Sequence, residues 1–513
     1  MRNFVCILLM SVFGISMLGC KDQKVREGNN YYLDAENGND SNDGLSAECA
    51  WRSLDRVDSL CFKVGDSLLL RRGATYCGVL KVSGYGRADS RIVVGAFGRG
   101  EAPRIIAPDS SLYAVLVKNS SYLTLRDLDV MNKGTQRLAG RTGVKVLCEE
   151  YGVSRHIILD GLNIHDVNGT LAKHSGEGCG ILVETRWREK PSAFDSLTIE
   201  NCIIRRCERN AITWNSGWDR RRWFPNTHTV VRKNLIEEVP GDGIVPIGCD
   251  GALVEYNLMR NCTNLLPEKD AAAGIWPWSS DNTLIQYNEV SHHQATWDGQ
   301  GFDSDFNCKN TIIQYNYSHD NEGGFILICC PGPSACDTTG IVGNEGSVVQ
   351  YNISINDGLR TRKTHVGMYS PIIHIGGTAT DTRINNNILH ANVRPNKQVD
   401  GSMITSDSWG GYSHRTLIAE NVFYSAEPSA FRFSQSTDDS FEGNYYLGIF
   451  SGMPKDKTGK FNSTYYESLL KEDSKGFKAL APLMKQVEIA NGAARVTVVD
   501  KEAIDEFFKR MKK

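Results

Sequence analysis

Two acids hold the most promising chemistry in this chain. In Phe302-Asp303-Ser304-Asp305-Phe306 two carboxylates stand two residues apart between aromatic side chains. On an extended strand alternate side chains share a face, so Phe302 and Phe306 turn one way. Asp303 and Asp305 turn the other, with Cβ atoms roughly 6–7 Å apart. Acids this close repel each other's charge, which holds one protonated and leaves the other ionised. A glycosidic bond is cleaved by such a pair, and the separation spans both retaining and inverting geometries. Turn capping and calcium binding are the rival uses of the same two acids. Asp242 and Asp270 are the next candidate carboxyls.

Aromatic and charged residues gather around this stretch. Trp276 and Trp278 lie one unit earlier, in Ile275-Trp276-Pro277-Trp278. Alignment of the Gly-apolar starts of successive units puts both tryptophans on the face of the acids. Alignment on a recurrent asparagine turns them inward, because one residue of slip reverses faces. Facing outward they would suit the apolar face of a sugar. Trp214 and Trp297 are further stacking candidates, and Arg220, from the Arg220-Arg221-Arg222 run, could grip a substrate carboxylate. His319 could orient an acid or carry a proton, with Glu322 close by. However, His165, His292 and His390 hold similar places in other units, which favours a structural use of each. Long insertions such as LLPEKDAAAG and HHQATWDGQG cluster here, and loops of that size on a rigid scaffold carry function.

The scaffold is a repeat. LTIENCII, LVEYNLMR, LIQYNEVS, IIQYNYSH, VVQYNISI and LIAENVFY share one pattern, and Asp127 and Gly161 hold the marker place in the first two units. The marker asparagines are Asn201, Asn234, Asn257, Asn288, Asn316, Asn352, Asn387 and Asn421, spaced 23 to 36 residues apart. Short alternating strands at such a period form a solenoid whose strands stack in parallel, and a fixed asparagine can ladder with its copies. The expectation is an all-β, single-stranded parallel β-helix over 108–448. A small N-terminal module precedes it at 31–107, and a C-terminal helical cap follows at 449–513. YYESLLKEDSKGF and KEAIDEFFKRMKK read as helices covering the open end, the second with Ile504, Phe507, Phe508 and Met511 on one side. Asn39–Gly44 lacks the glutamate of a calcium loop, since Ala50 stands in its place.

The N-terminal module (YYLDAENGNDSNDG…AWRSL…VGDSLLLRRGATYCGVL) and the repeats resemble right-handed parallel β-helix proteins of the pectin-lyase-like group. That group includes pectinolytic lyases and several glycoside hydrolase families. The segment GFDSDFNCKNTIIQYNYSHDNEGGF looks most like β-helix glycoside hydrolases of family 141, which include fucosidases and xylanases. The resemblance implies a glycosidase on a plant-type or host polysaccharide, requiring no cofactor. A calcium-dependent uronate lyase is the alternative, with Lys269, Lys309 or an arginine as base. A non-catalytic glycan-binding surface protein is the third reading.

Composition bounds the partners. Fifty-seven basic against sixty acidic residues give no reason to expect nucleic acid. Residues 1–19 read as a targeting segment: Arg2 opens it, an apolar run follows, and Met17-Leu18-Gly19-Cys20 resembles a lipobox. Lipidation of Cys20, a linker over 20–30 and a monomeric lipoprotein of a Gram-negative outer membrane are expected. Of fifteen cysteines thirteen remain after Cys6 and Cys20, an odd number, and Cys148, Cys179, Cys202, Cys262 and Cys308 sit in strands as small hydrophobes. No CxxC pair with zinc spacing, nucleophile elbow, P-loop, HExxH or dinucleotide fingerprint occurs.

Overall fold

The computed structural model describes residues 28–512 apart from 174, 175, 177, 264, 296, 333–339, 362, 365, 366, 395 and 434. The targeting segment and Cys20 lie outside the described residues. Three faces of parallel strands wind into a β-helix: one sheet of fourteen strands, one of thirteen, and a third face made of two six-stranded sheets. The first strands, Asn30–Leu33, Ser67–Arg71 and Ile92–Phe97, pair directly into the fourteen-stranded sheet, so the N-terminal module is built into the solenoid.

Alternation sets the core. Ile313, Val349, Ile384 and Ile418 stack in register through successive coils, each fully buried. Each such side chain contributes about 1.5–3 kcal/mol of burial. At the turn, Asn234, Asn257, Asn288, Asn316, Asn352, Asn387, Asn421 and Asn444 form a buried ladder. Each amide donates to the next Oδ1 at 2.9–3.0 Å, and Asp456 ends the series. Asn201 is not a member. It sits one residue earlier in its coil at φ +55°, the place of Tyr256 and Tyr287 in later coils, and donates to Asp160. Asp127 and Gly161 share that left-handed turn place at φ +55° and +63°. Cys202 stands where the ladder begins, its N–H donating to Asn234 Oδ1. On the outside of the same turn Tyr256, Tyr287, Tyr315 and Tyr351 stack at 5.1–5.4 Å.

The C-terminal segment forms the expected helices, Thr464–Leu470 and Lys501–Met511, and Ile504, Phe507, Phe508 and Met511 are buried. The edge of the last coil is taken by the stretch before these helices, through the bridges Phe441–Asp456 and Tyr445–Lys460 and the Phe461 ring on Tyr446. A hairpin of Met484–Ile489 and Ala494–Val499, together with the last helix, runs back along the flank of the thirteen-stranded sheet. There it covers Tyr317, Ile353, Ile388 and Val422, an apolar outer face that solvent would otherwise reach. Of the five cysteines expected in strands, Cys148 and Cys179 lie in strands and Cys202, Cys262 and Cys308 beside them, and all five are buried free thiols. Among the described residues no helix is long and apolar enough to cross a membrane.

Candidate active site

The third face breaks where the chemistry gathers. Ile244-Val245-Pro246 and Ile275-Trp276-Pro277 lie on successive coils. Proline has no N–H to give a ladder. Between the two six-stranded sheets the coil at 275–278 forms no continuous strand and is held by isolated bridges, among them Ile244–Ile275, Ile247–Trp278 and Ile275–Phe302. These bridges fix the register. Ile244, Ile275 and Phe302 point into the core, so Trp276 and Asp303 share the outer face. Of the two alignments, the Gly-apolar one describes this coil.

A cleft of about 560 Å³ opens on that face, lined by Trp276, Trp278, Trp297, Asp242, Asp270, Asp305 and Lys173 among others. Asp303 ends the strand Gln300–Ser304 together with Ser304 and is 4% exposed. Its Oδ1 finds no hydrogen-bond partner among the described residues. Burial, then the neighbouring charges of Asp305 and Asp298, pushes its pKa well above the carboxylate range. Asp305 reaches the cleft. Burial raises its pKa, while the Cys329 thiol and the Phe306 N–H, donating to its Oδ1 at 3.1 and 2.7 Å, pull it back, leaving it at about 6. Asp298 carries a third raised pKa, again mainly from burial and opposed by Lys173, His374 and Arg360.

The other acids are engaged. Asp242 is buried against Arg209 (2.5 Å) and 3.8 Å from Lys173 Nζ, and it accepts from Trp276 Nε1 and the Ala273 N–H. Burial would raise its pKa, but Lys173 and Arg209 hold it below the usual range. Asp270 accepts from the Lys173 N–H and lies 3.9 Å from Arg209. These two acids and Lys173 line one wall of the cleft, with Arg209 buried behind Asp242. Lys173 Nζ also covers the Trp276 ring at 4.8 Å.

The remaining expected residues scatter. Trp276 is buried on the cleft wall, Trp278 stacks on Trp218 at 5.8 Å, and Trp297 stands at the rim. Trp214 turns inward on Asn210–Asn215 and packs into the core. Arg220 does not reach the cleft: it donates to Asp281 and to the Asn307 carbonyl, with its guanidinium 3.7 Å over Trp223. His319 belongs to the thirteen-stranded sheet, between Asp320 and Glu289 and against Phe477. Glu322 is buried and accepts from Thr361. Lys269 lines the cleft, whereas Lys309 pairs with Glu345 at 3.1 Å.

Sequence reasoning passed over Lys173, Arg209, Asp298 and Cys329 as site residues. The first two lie outside the repeat motif, and nothing in their spacing marks them. Asp298 had one signal, its place in the long HHQATWDGQG insertion. Asp303, Asp305 and Cys329 bring three ligand atoms within 4.8 Å of one another. A thiol is foreign to the all-oxygen shell of calcium, so this set fits calcium poorly.

Comparison with known proteins gives the class. The family model for a right handed beta helix region matches residues 179–449, just over half of the chain. The chain belongs to that right-handed β-helix family. Among particular proteins, it is similar to the lacto-N-biosidase of Bifidobacterium longum subsp. longum, 24% identical over 523 residues. That match covers 82% of this chain and only 30% of the relative's own length. Two crystal structures of a family 136 glycoside hydrolase, lacto-N-biosidase from Eubacterium ramulus, share 25% identity at a TM-score of 0.57. They cover 76% and 73% of this chain and 67% and 66% of their own. The Eubacterium ramulus enzyme is of family 136, not of the family 141 that one segment of the sequence resembles.

Proposed function

We propose that this protein is a glycosidase, with Asp305 the acid that protonates the departing glycosidic oxygen. The observation that carries this reading is a cleft carboxyl with a pKa of about 6 set among outward-facing tryptophans. A general acid works best when its pKa lies near the operating pH. Asp303 lies deeper, and burial together with the Asp305 and Asp298 charges favours its protonated form. Asp298, whose charge is felt at both Asp303 and Asp305, is the candidate for the carboxylate that acts on the anomeric carbon, directly or through water. The tryptophans hold the sugar's apolar face.

The names of the relatives make lacto-N-biosides the first substrates to try, ahead of plant-type glycans. A lipid anchor at Cys20 would hold the enzyme at the outer membrane, facing such glycans. The test uses residues 21–513 on lacto-N, xylan and pectic substrates, with products weighed by mass spectrometry. Products carrying one added water, lost in Asp305→Asn, support hydrolysis. Products lacking that water move the reading to a lyase, for which Lys269 is the base in the cleft. Binding without any product makes the protein a glycan-binding module.

A further inference from the structure

The cleft does not stop at the acids. Three depressions of about 560, 540 and 730 Å³ adjoin on the outer face: the second runs from the first toward the N-terminus as far as Tyr113, and the third lies beside the second at the C-terminal ends of Thr142–Glu149 and Cys179–Arg186. Neighbours share their walls: Lys173 and Trp278 belong to the first and second, and Arg186, Asn215 and Trp218 to the second and third. From Gln300–Ser304 back to Thr142–Glu149 the groove crosses five strand spacings, about 24 Å. That length takes several pyranose rings in a row.

Its middle is an aromatic ledge. Trp218 lies on Trp278 with ring centroids 5.8 Å apart and planes 23° from parallel, and Trp218 is 38% exposed. Tryptophan left this open is expensive unless something covers it. The loop that carries it is fastened down. Ser279 Oγ donates to the Trp218 carbonyl at 2.6 Å. Arg220, its side chain only 6% exposed, ties the loop to Asp281 and to the Asn307 carbonyl. The arginine expected to grip substrate thus holds the ledge in place.

Beyond the ledge the floor is polar and nearly neutral. Glu184, 3% exposed, accepts from Arg186 Nε at 2.7 Å and Asn215 Nδ2 at 3.2 Å and pairs with Lys145. Across the second and third depressions five basic side chains, Lys145, Lys173, Arg186, Arg188 and Arg222, stand among four acidic ones, Glu149, Glu150, Glu184 and Asp219, so the floor carries little net charge. Flat aromatic faces followed by paired polar groups recognise a chain of uncharged sugars.

We propose that this groove is a run of binding subsites for an extended neutral oligosaccharide, with Trp218 as its central stacking platform. The inference rests on the glycan reading of the cleft. Its test reads binding without turnover, so a protein that binds but does not cleave would sink the hydrolase reading alone. The full chain carrying Asp305→Asn is titrated calorimetrically with lacto-N, xylo- and galacturono-oligosaccharides, each in a short and a long form. The long form of a neutral series is expected to bind at least ~10-fold more tightly than the short one, the increment of about one well-packed aromatic contact plus its hydrogen bonds. Adding Trp218→Ala should bring that long-to-short ratio near one, and Trp218→Tyr should restore most of it. Melting curves check that both variants fold. A ratio near one in the parent, a ratio untouched by Trp218→Ala, preference for the charged series, or no binding of any probe would each overturn the proposal.

Discussion

The Cys329 thiol lies 3.1 Å from Asp305 Oδ1, on the strand next to the acid. A sulfur that close gives a weak donor to a carboxylate that burial would otherwise keep protonated to a higher pH. The proton stays on sulfur, because burial and the nearby Asp305 and Asp303 charges push the thiol well above its usual pKa. Cys329 therefore sets where the acid titrates without touching the sugar.

Replacing Cys329 with alanine removes that donor and should raise the pKa of Asp305 above about 6. A general acid must be protonated to act, so activity falls as pH rises through its pKa. The alkaline limb of kcat/KM should then move up by about half a pH unit, equivalent to roughly 0.7 kcal/mol. A limb that stays put would mean the thiol does not govern Asp305.

The two neighbouring acids should respond unequally to amidation. Asp305→Asn removes the proton donor and should lower kcat by about 10²–10⁴-fold. Asp303→Asn replaces a carboxyl whose burial and acidic neighbours favour the protonated form, so an amide is a fair copy of it. Activity within roughly ten-fold of the parent is expected, since the transition-state contact is kept. Steady-state rates on one substrate decide it, and equal losses would make Asp303 a reacting group.

Much of this was readable in the chain because a solenoid repeats its own evidence. Ile313, Val349, Ile384 and Ile418 recur at one place in the motif, and their stacking follows from parallel register. The facing of Trp276 and Asp303 was left between two alignments, and the Ile275–Phe302 bridge selects the one on the Gly-apolar starts. Asn201 misled because the residue before the ladder sits in the left-handed region, where asparagine is also favoured. Lys173, Arg209 and Asp298 were illegible for a different reason. Lys173 and Asp298 come from excursions of unequal length and Arg209 from the one-residue join between Ile203–Glu208 and Asn210–Asn215, so the period does not mark them.

The ladder gives a contrast in stability. Asn316 accepts from both the N–H and the amide of Asn288 and donates to Asn352 and the Ile285 carbonyl, all buried. Asn316→Ala strands several of those groups and should cost about 3 kcal/mol or more. Asn201→Ala loses one contact to Asp160 and places alanine at φ +55°, for about 1–2 kcal/mol. Urea unfolding of both variants checks the order, and equal losses would deny the one-residue offset between them.

His319 supplies a pH-dependent share of stability. Burial opposes charge on its ring, but Asp320 and Glu289 overcome it and raise the pKa to about 9. The folded value lies above the unfolded one of about 6.5. The contribution is then complete below pH 6.5 and disappears as pH rises through 9. His319→Gln should therefore destabilise the protein by at most about 3 kcal/mol at pH 6 and by far less at pH 10. The gap between parent and variant urea midpoints at the two pH values measures this. A gap that does not narrow at high pH would assign His319 to packing on Tyr317 and Phe477 instead of to its charge.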